Sequence, residues 1–199
     1  AGFEALEQTW NDLLAKSECS VFQTFEWLHT WWKYFGDGRQ LHCILFKCGS
    51  KIVGIAPLFQ EVVKIFGLRI AKRLQFIGCG LSDYLDVIIL PGYESIVLNR
   101  FVEYLKSIHR EWDVFDIEDV NERSPVVHLL PQILKKQDMN VYAYQGNVCP
   151  QRALPTSWRI LFQSLGPNAR YNFRRKYKKL QESSRVDVEL FRNGTDGIR

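Results

Sequence analysis

No run of apolar residues in the chain approaches the roughly 18 that a membrane-spanning helix needs, so no transmembrane segment is expected. The opening stretch, AGFEALEQTW, has neither a basic segment nor an apolar one of the secretory kind, and a cytoplasmic setting is the expectation. Cysteine is scarce and odd in number. There are five in 199 residues (19, 43, 48, 79 and 149), with no Cys-x-x-Cys pair and no histidine at metal-ligand spacing. That argues against a disulfide framework and against a metal site, and for buried thiols in a reducing compartment. None of the histidines (42 in a predicted strand; 29, 109 and 128 on predicted helices) has a Ser or Cys companion in a motif. A covalent-nucleophile enzyme is therefore disfavoured. Acid is absent over one long interval: between Asp138 and Glu182 there is none, against eight Lys and Arg. The rest of the chain carries 18 basic and 22 acidic residues, so this block alone makes the protein basic, at a net charge of +4.

What is present describes a globular protein. Hydrophobic residues make up 46% and charged residues 24%, and aromatics at 14%, six of them Trp, bury a large area per residue. The length fits one full domain and part of a second.

Periodicity places the elements. Phe3, Leu6, Trp10, Leu13 and Leu14 share one helical face. A second helix follows, capped by Thr24 and ended by Gly36. Its apolar residues form one stripe of Phe25, Leu28, Trp32 and Phe35 and another of Trp27, Trp31 and Tyr34. QLHCILFK and KIVGIAPLFQEV read as a β-hairpin around Cys48-Gly49-Ser50, and LRIAKRLQFIG as a short β segment. YLDVIIL is predicted as a buried strand ended by Pro91-Gly92, and 93–110 as a helix. WDVFDIEDV is a strand, the segment after Ser124-Pro125 a capped helix, and MNVYAYQG a strand. After residue 150 come two helices and a strand, VDVELFRNG. Trp10 with Trp158 and Phe46 with Phe191 suggest a repeat of how the chain began. The expectation is an α/β protein with a mixed sheet: one unit over 1–150 and a second begun at 151–199.

Four places carry candidate chemistry. Gln75-Phe76-Ile77-Gly78-Cys79-Gly80 has the Gln-x-x-Gly-x-Gly form of a pyrophosphate loop. A strand follows it rather than a helix, so it is read as a turn. Asp83, Tyr84 and Asp86 stand at the mouth of a predicted buried strand. Polar groups there either bind and deprotonate an acceptor or serve as turn hydrogen-bonding groups. Trp27 and Trp31 either stack on a sugar-like substrate or belong to the core. The basic helix aligns Arg170, Arg174 and Lys178, with Arg175 and Lys179 in a second row. It is either a solvated face or a contact for an anionic partner, and no RNA-binding motif accompanies it.

SVFQTFEWLHTWWKYFG, KIVGIAPLF, FIGCGLSDYLDVIILPG, WDVFDIEDV and RYNFRRKYKKLQ, in this helix-helix-hairpin-strand-helix-strand order, resemble the CelD-like branch of the GNAT acyltransferases. That branch is similar in design to the FemAB aminoacyltransferases, with two GNAT units in one chain. The resemblance implies acyl transfer from acetyl-CoA or another acyl-CoA to an amine or hydroxyl of an anionic or sugar-like acceptor, in cell-envelope or exopolysaccharide metabolism. Asp83 and Asp86 would then lie on the acceptor side with Tyr84, Trp27 and Trp31, and Arg170, Arg174, Arg175 and Lys178 on the CoA side. The chain stops one strand into the second unit, so the larger share of the acyl-CoA site is expected outside it. Two alternatives stay open: aminoacyl transfer from tRNA, and a non-catalytic GNAT-like scaffold.

Overall fold

The computed structural model describes residues 2–185. The chain divides after Asn147 into two units. In the first, a 3-10 turn at Phe3–Leu6 runs into α1 (Glu7–Leu14). Trp10 is fully buried, and its Nε1 donates to the Gln23 carbonyl at 2.8 Å. Phe3, Trp10 and Phe25 meet edge to face with centroids 5.3 to 5.9 Å apart, an arrangement their ring quadrupoles favour. α2 (Phe25–Phe35) begins at Thr24, whose hydroxyl accepts from the Trp27 N–H, and ends at Gly36. Its buried face is Phe25, Leu28 and Trp31. The two predicted stripes are thus redistributed: Trp31 lies over Phe59 at 5.3 Å, Trp32 is half-buried, and Tyr34 and Phe35 are exposed.

The sheet is mixed. β1 (Gln40–Cys48) and β2 (Lys51–Ile65) form the predicted hairpin, closed at Gly49 with φ +61°. β3 (Leu68–Phe76) pairs antiparallel with β2, β4 (Ile88–Ile89) also pairs with β2, and β5 (Val114–Phe115) runs parallel to β3. Val53 to Phe59 of β2 are all buried, as expected of a strand covered on both faces. Trp31 covers Phe59 on one side. On the other, α3 (Glu94–Ser107) approaches so closely that a Cβ on Gly54 would sit 2.9 Å from Val97 Cγ1. α4 (Pro125–Lys136) follows, with Ser124 as its cap and Pro125 in its first turn, as predicted.

Three predicted strands differ. YLDVIIL shrinks to Ile88–Ile89, opposite Ile55 and Gly54, because β3 and Ile77 already occupy the same edge of β2 as far as Pro57. WDVFDIEDV shrinks to Val114–Phe115, matched to Arg73 and Leu74. MNVYAYQG is not a strand, and Tyr142 and Tyr144 are exposed along it; the two-residue β5 gives it almost no edge to join. The predicted strand VDVELFRNG lies outside the described residues.

The second unit, from Val148, contains α5 (Trp158–Ser164), capped by Ser157, and α6 (Pro167–Ser183). Trp158, Phe162, Phe173 and Tyr177 pack in sequence along one seam with centroids 5.1 to 6.0 Å apart. Neither helix contains a buried residue.

Candidate functional site

Strand β3 does not end at Phe76; it is interrupted. Ile77 N–H still donates to the Pro57 carbonyl (2.8 Å), and Leu90 N–H donates to Val53 (2.9 Å) further along the same edge of β2. Continuous pairing would put residue 79 opposite Ile55, yet Ile88 is there, nine residues later. The surplus forms the loop 77–87, which leaves the sheet at the carboxyl end of β3, beside parallel β5. Crevices outside the carboxyl ends of parallel strands are where open α/β sheets collect ligands.

Local chemistry builds this loop. Gly78 takes φ +103°, and a Cβ there would lie 2.9 Å from both Leu85 Cδ2 and Ser82 Oγ, so only glycine fits. No helix follows Gly80; α3 begins at Glu94. The Gln-x-x-Gly-x-Gly segment is thus a turn, and offers a pyrophosphate no helix N-terminus. Leu85 is buried, and its N–H donates to the Asp119 carbonyl at 3.1 Å, tying the loop to the segment after β5. Ser20 Oγ donates to the Tyr84 carbonyl at 3.2 Å, and Trp27 Nε1 donates to the buried Ser82 Oγ at 2.8 Å. The Trp27 ring stands edge-on to Phe22. Tyr84 itself has φ +56°, a conformation few non-glycine residues adopt.

The predicted residues separate. Asp83 is exposed at the loop surface, Tyr84 is half-buried, and partly exposed Trp27 is hydrogen-bonded to the neighbouring Ser82. Asp119 stands close enough that its carboxyl is raised, first by burial and then by Glu118 and Asp83. Asp86 turns the other way. Strict alternation put it on a face with Tyr84 and Ile88, but no strand runs through 83–87 to impose that alternation. Its carboxylate accepts from the Val87 N–H (2.8 Å) and from Ser124, whose own Oγ accepts from Val126 N–H at the start of α4. Burial pushes the Asp86 carboxyl up to about 6, against the pull of those two bonds. The nearby Cys19 thiol is pushed up to about 12, by burial first and by Asp86 second. A thiol so protonated is no nucleophile.

Trp31 is a core residue: it is buried against Phe59 and covered by the Arg39 guanidinium at 5.5 Å. Arg170, Arg174, Arg175 and Lys178 lie on α6 in the second unit. There Arg170 donates to the Gln163 carbonyl (2.8 Å), Arg174 lies over Phe162 (5.2 Å), Lys178 pairs with Glu182 (3.7 Å), and Arg175 is exposed.

Sequence reasoning passed over a second constellation beside the loop. Glu61 and Arg73 are direct partners across β2 and β3. The Glu61 carboxylate accepts from Arg73 Nε (3.1 Å) and Arg39 Nε (3.0 Å), and Arg73 Nη1 reaches Asp116 Oδ2 at 3.4 Å. Burial raises the Glu61 carboxyl, but the bonds from both arginines outweigh it and hold it low. Burial raises the Cys79 thiol, which feels Arg39, Glu61 and Arg73 as neighbours. The loop thus springs from a neutralised charge lattice. The signal was two opposite charges twelve residues apart, legible only once the register is known.

An open pocket of about 470 Å³ adjoins Ser20, with Asn11, Cys19 and Thr24 among its lining. Among the described residues no three His, Cys, Asp or Glu side chains converge as a metal site, and no helix is long and apolar enough to cross a membrane. Comparison with known proteins returned no match to a family model, to a curated protein or to a solved structure.

Proposed function

We propose that the chain is part of an acyl-CoA-dependent acyltransferase of GNAT type, acting on an amine or hydroxyl acceptor at the loop 77–87. The observation that carries the reading is the interrupted strand. It delivers Asp83 and Tyr84 to the carboxyl end of a parallel strand pair, on a loop anchored by Ser20 and Asp119 and by Trp27 of α2, which donates to Ser82. In direct transfer the acceptor attacks the thioester while a carboxylate takes its proton. Asp83, solvent-facing, is the residue that meets the acceptor. Asp86, tied to Val87 and Ser124, is a positioning residue that holds the loop to α4. Because the Gly78–Gly80 turn opens no helix, no step is assigned to CoA there. The exposed cations of α6 are the anion-side candidates.

The test is release of free thiol from acyl-CoA with a panel of amine and sugar acceptors, in a protein carrying both units. Acceptor-dependent release is expected, and removing Asp83 should lower it about 100-fold, the scale of a general base. The bare Gly78–Gly80 turn equally suits a non-catalytic scaffold. No turnover, together with no thermal stabilisation by acyl-CoA, would favour that second reading.

A further inference from the structure

The opposite end of β3 is a projecting ribbon. β1 pairs with β2 only as far as Gln60, and β5 meets β3 only at Arg73 and Leu74. Residues 62–71 therefore extend beyond the sheet as two strands with both outer edges open, and Lys72 at their base is held by Asp113, whose N–H donates to the Lys72 carbonyl and whose carboxylate accepts from the Lys72 N–H, both at 2.8 Å. Phe66 and Gly67 make the turn, at φ +51° and +80°. Two-residue turns of this hand prefer Asn or Gly first; a phenylalanine there costs about 1 kcal/mol. No packing offsets that cost, since Phe66 is 101% exposed, and Leu68 and Ile65 beside it are 71% and 52% exposed.

The charges of the tip are as unusual. Lys64 stands directly opposite Arg69, a like-charge cross-strand pair that is destabilising on its own. Lys72 follows two pairs behind. There is no acid between Glu61 and Asp83, and Lys64, Arg69 and Lys72 form no ion pair among the described residues. The apolar group leads, and the cations sit roughly 3 to 10 Å behind it at strand spacing.

We propose that this hairpin tip inserts into the surface of a membrane containing anionic phospholipid. Phe66, Ile65 and Leu68 would enter the boundary between headgroups and acyl chains, while Lys64, Arg69 and Lys72 meet the lipid phosphates. Apolar residues seated in that boundary with Lys and Arg among the phosphates are the physical requirement for interfacial binding. A protein partner is less well matched. Val62, Ile65, Phe66, Leu68 and Ile70 together offer on the order of 600 Å², still less than each side of a standard interface buries. The inference concerns location and is independent of the acyl-transfer reading.

The experiment is cosedimentation of the 199-residue chain with vesicles of phosphatidylcholine alone or mixed with phosphatidylglycerol. Partition onto the mixed vesicles should be about tenfold stronger and fall as salt rises. Phe66→Asn suits the turn better and keeps the fold, which the unfolding midpoint verifies, yet it should lower partition several-fold. Lys64→Gln with Arg69→Gln should abolish the preference for anionic lipid. Equal or absent binding to the two vesicle types would overturn the proposal. So would binding that survives both variants, which would assign it to the cations of α6. A dimer in light scattering that Phe66→Asn dissolves would assign the tip to a second copy and overturn it as well.

Discussion

Glycine turns the chain at each end of β3, Gly67 before it and Gly78 after it, and both take positive φ. Around Gly78 a Cβ would meet Leu85, Ser82 and Leu28 within 3.1 Å; around Gly67 it would meet nothing within 4 Å. The Gly78 turn opens a loop fastened by Trp27, Ser20 and Asp119, and the Gly67 turn caps a ribbon whose tip packs against nothing among the described residues. One strand thus carries a preorganised excursion at one end and a bare apolar and basic tip at the other. Loops held in sparsely populated conformations by many bonds are suited to chemistry; an unsupported strained residue is suited to contact.

Paired substitutions break this contrast most sharply. Leu85→Ala should cost about 3 kcal/mol in denaturant unfolding, as the loss of a buried leucine does, whereas Leu68→Ala should change stability by less than about 0.5 kcal/mol. Equal effects would erase the distinction. The glycines repeat it on the backbone: Gly78→Ala should cost roughly 3 kcal/mol from strain and clash together, Gly67→Ala only about 1 kcal/mol from strain.

Asp86 gives a comparison in pH. Its folded carboxyl is raised from 3.8 to about 6, so the folded state favours the protonated form. Its contribution is fully present below pH 3.8 and is lost as pH rises through 6, a cost of roughly 3 kcal/mol at neutrality. Asp86→Asn should therefore gain stability relative to wild type between those pH values, read as the difference in unfolding free energy. A pH-independent difference would show that Asp86 is not shielded. The smallest effect is expected at the tip. Phe66→Asn should raise stability by about 0.5 kcal/mol, because Asn tolerates φ +51° and no contact is lost.

Much of the first unit was legible because its signals are local. Thr24 and Ser124-Pro125 mark helix starts, Gly49 marks the hairpin, and the apolar period marks α3. The interruption of β3 was not, because YLDVIIL satisfies every local criterion for a strand and fails only for want of an edge. Asp83, Tyr84 and Asp86 stand out in the sequence as polar groups at the mouth of an apolar run. Their division into an outward Asp83 and an inward Asp86 depends on Ser124 and Asp119, some 40 residues away in sequence. Trp31 and Trp32 compete for the same inward position, and Phe59 decides between them. Glu61 and Arg73 are paired by register alone.

The most direct test sets Asp83→Asn against Asp86→Asn in acyl-CoA turnover, measured as acceptor-dependent thiol release in a protein carrying both units. Asp83→Asn should lower kcat about 100-fold with little change in stability, while Asp86→Asn should lower it less than about tenfold and alter the pH dependence of unfolding. Turnover by Asp83→Asn equal to wild type would contradict the placement of the acceptor at the loop 77–87.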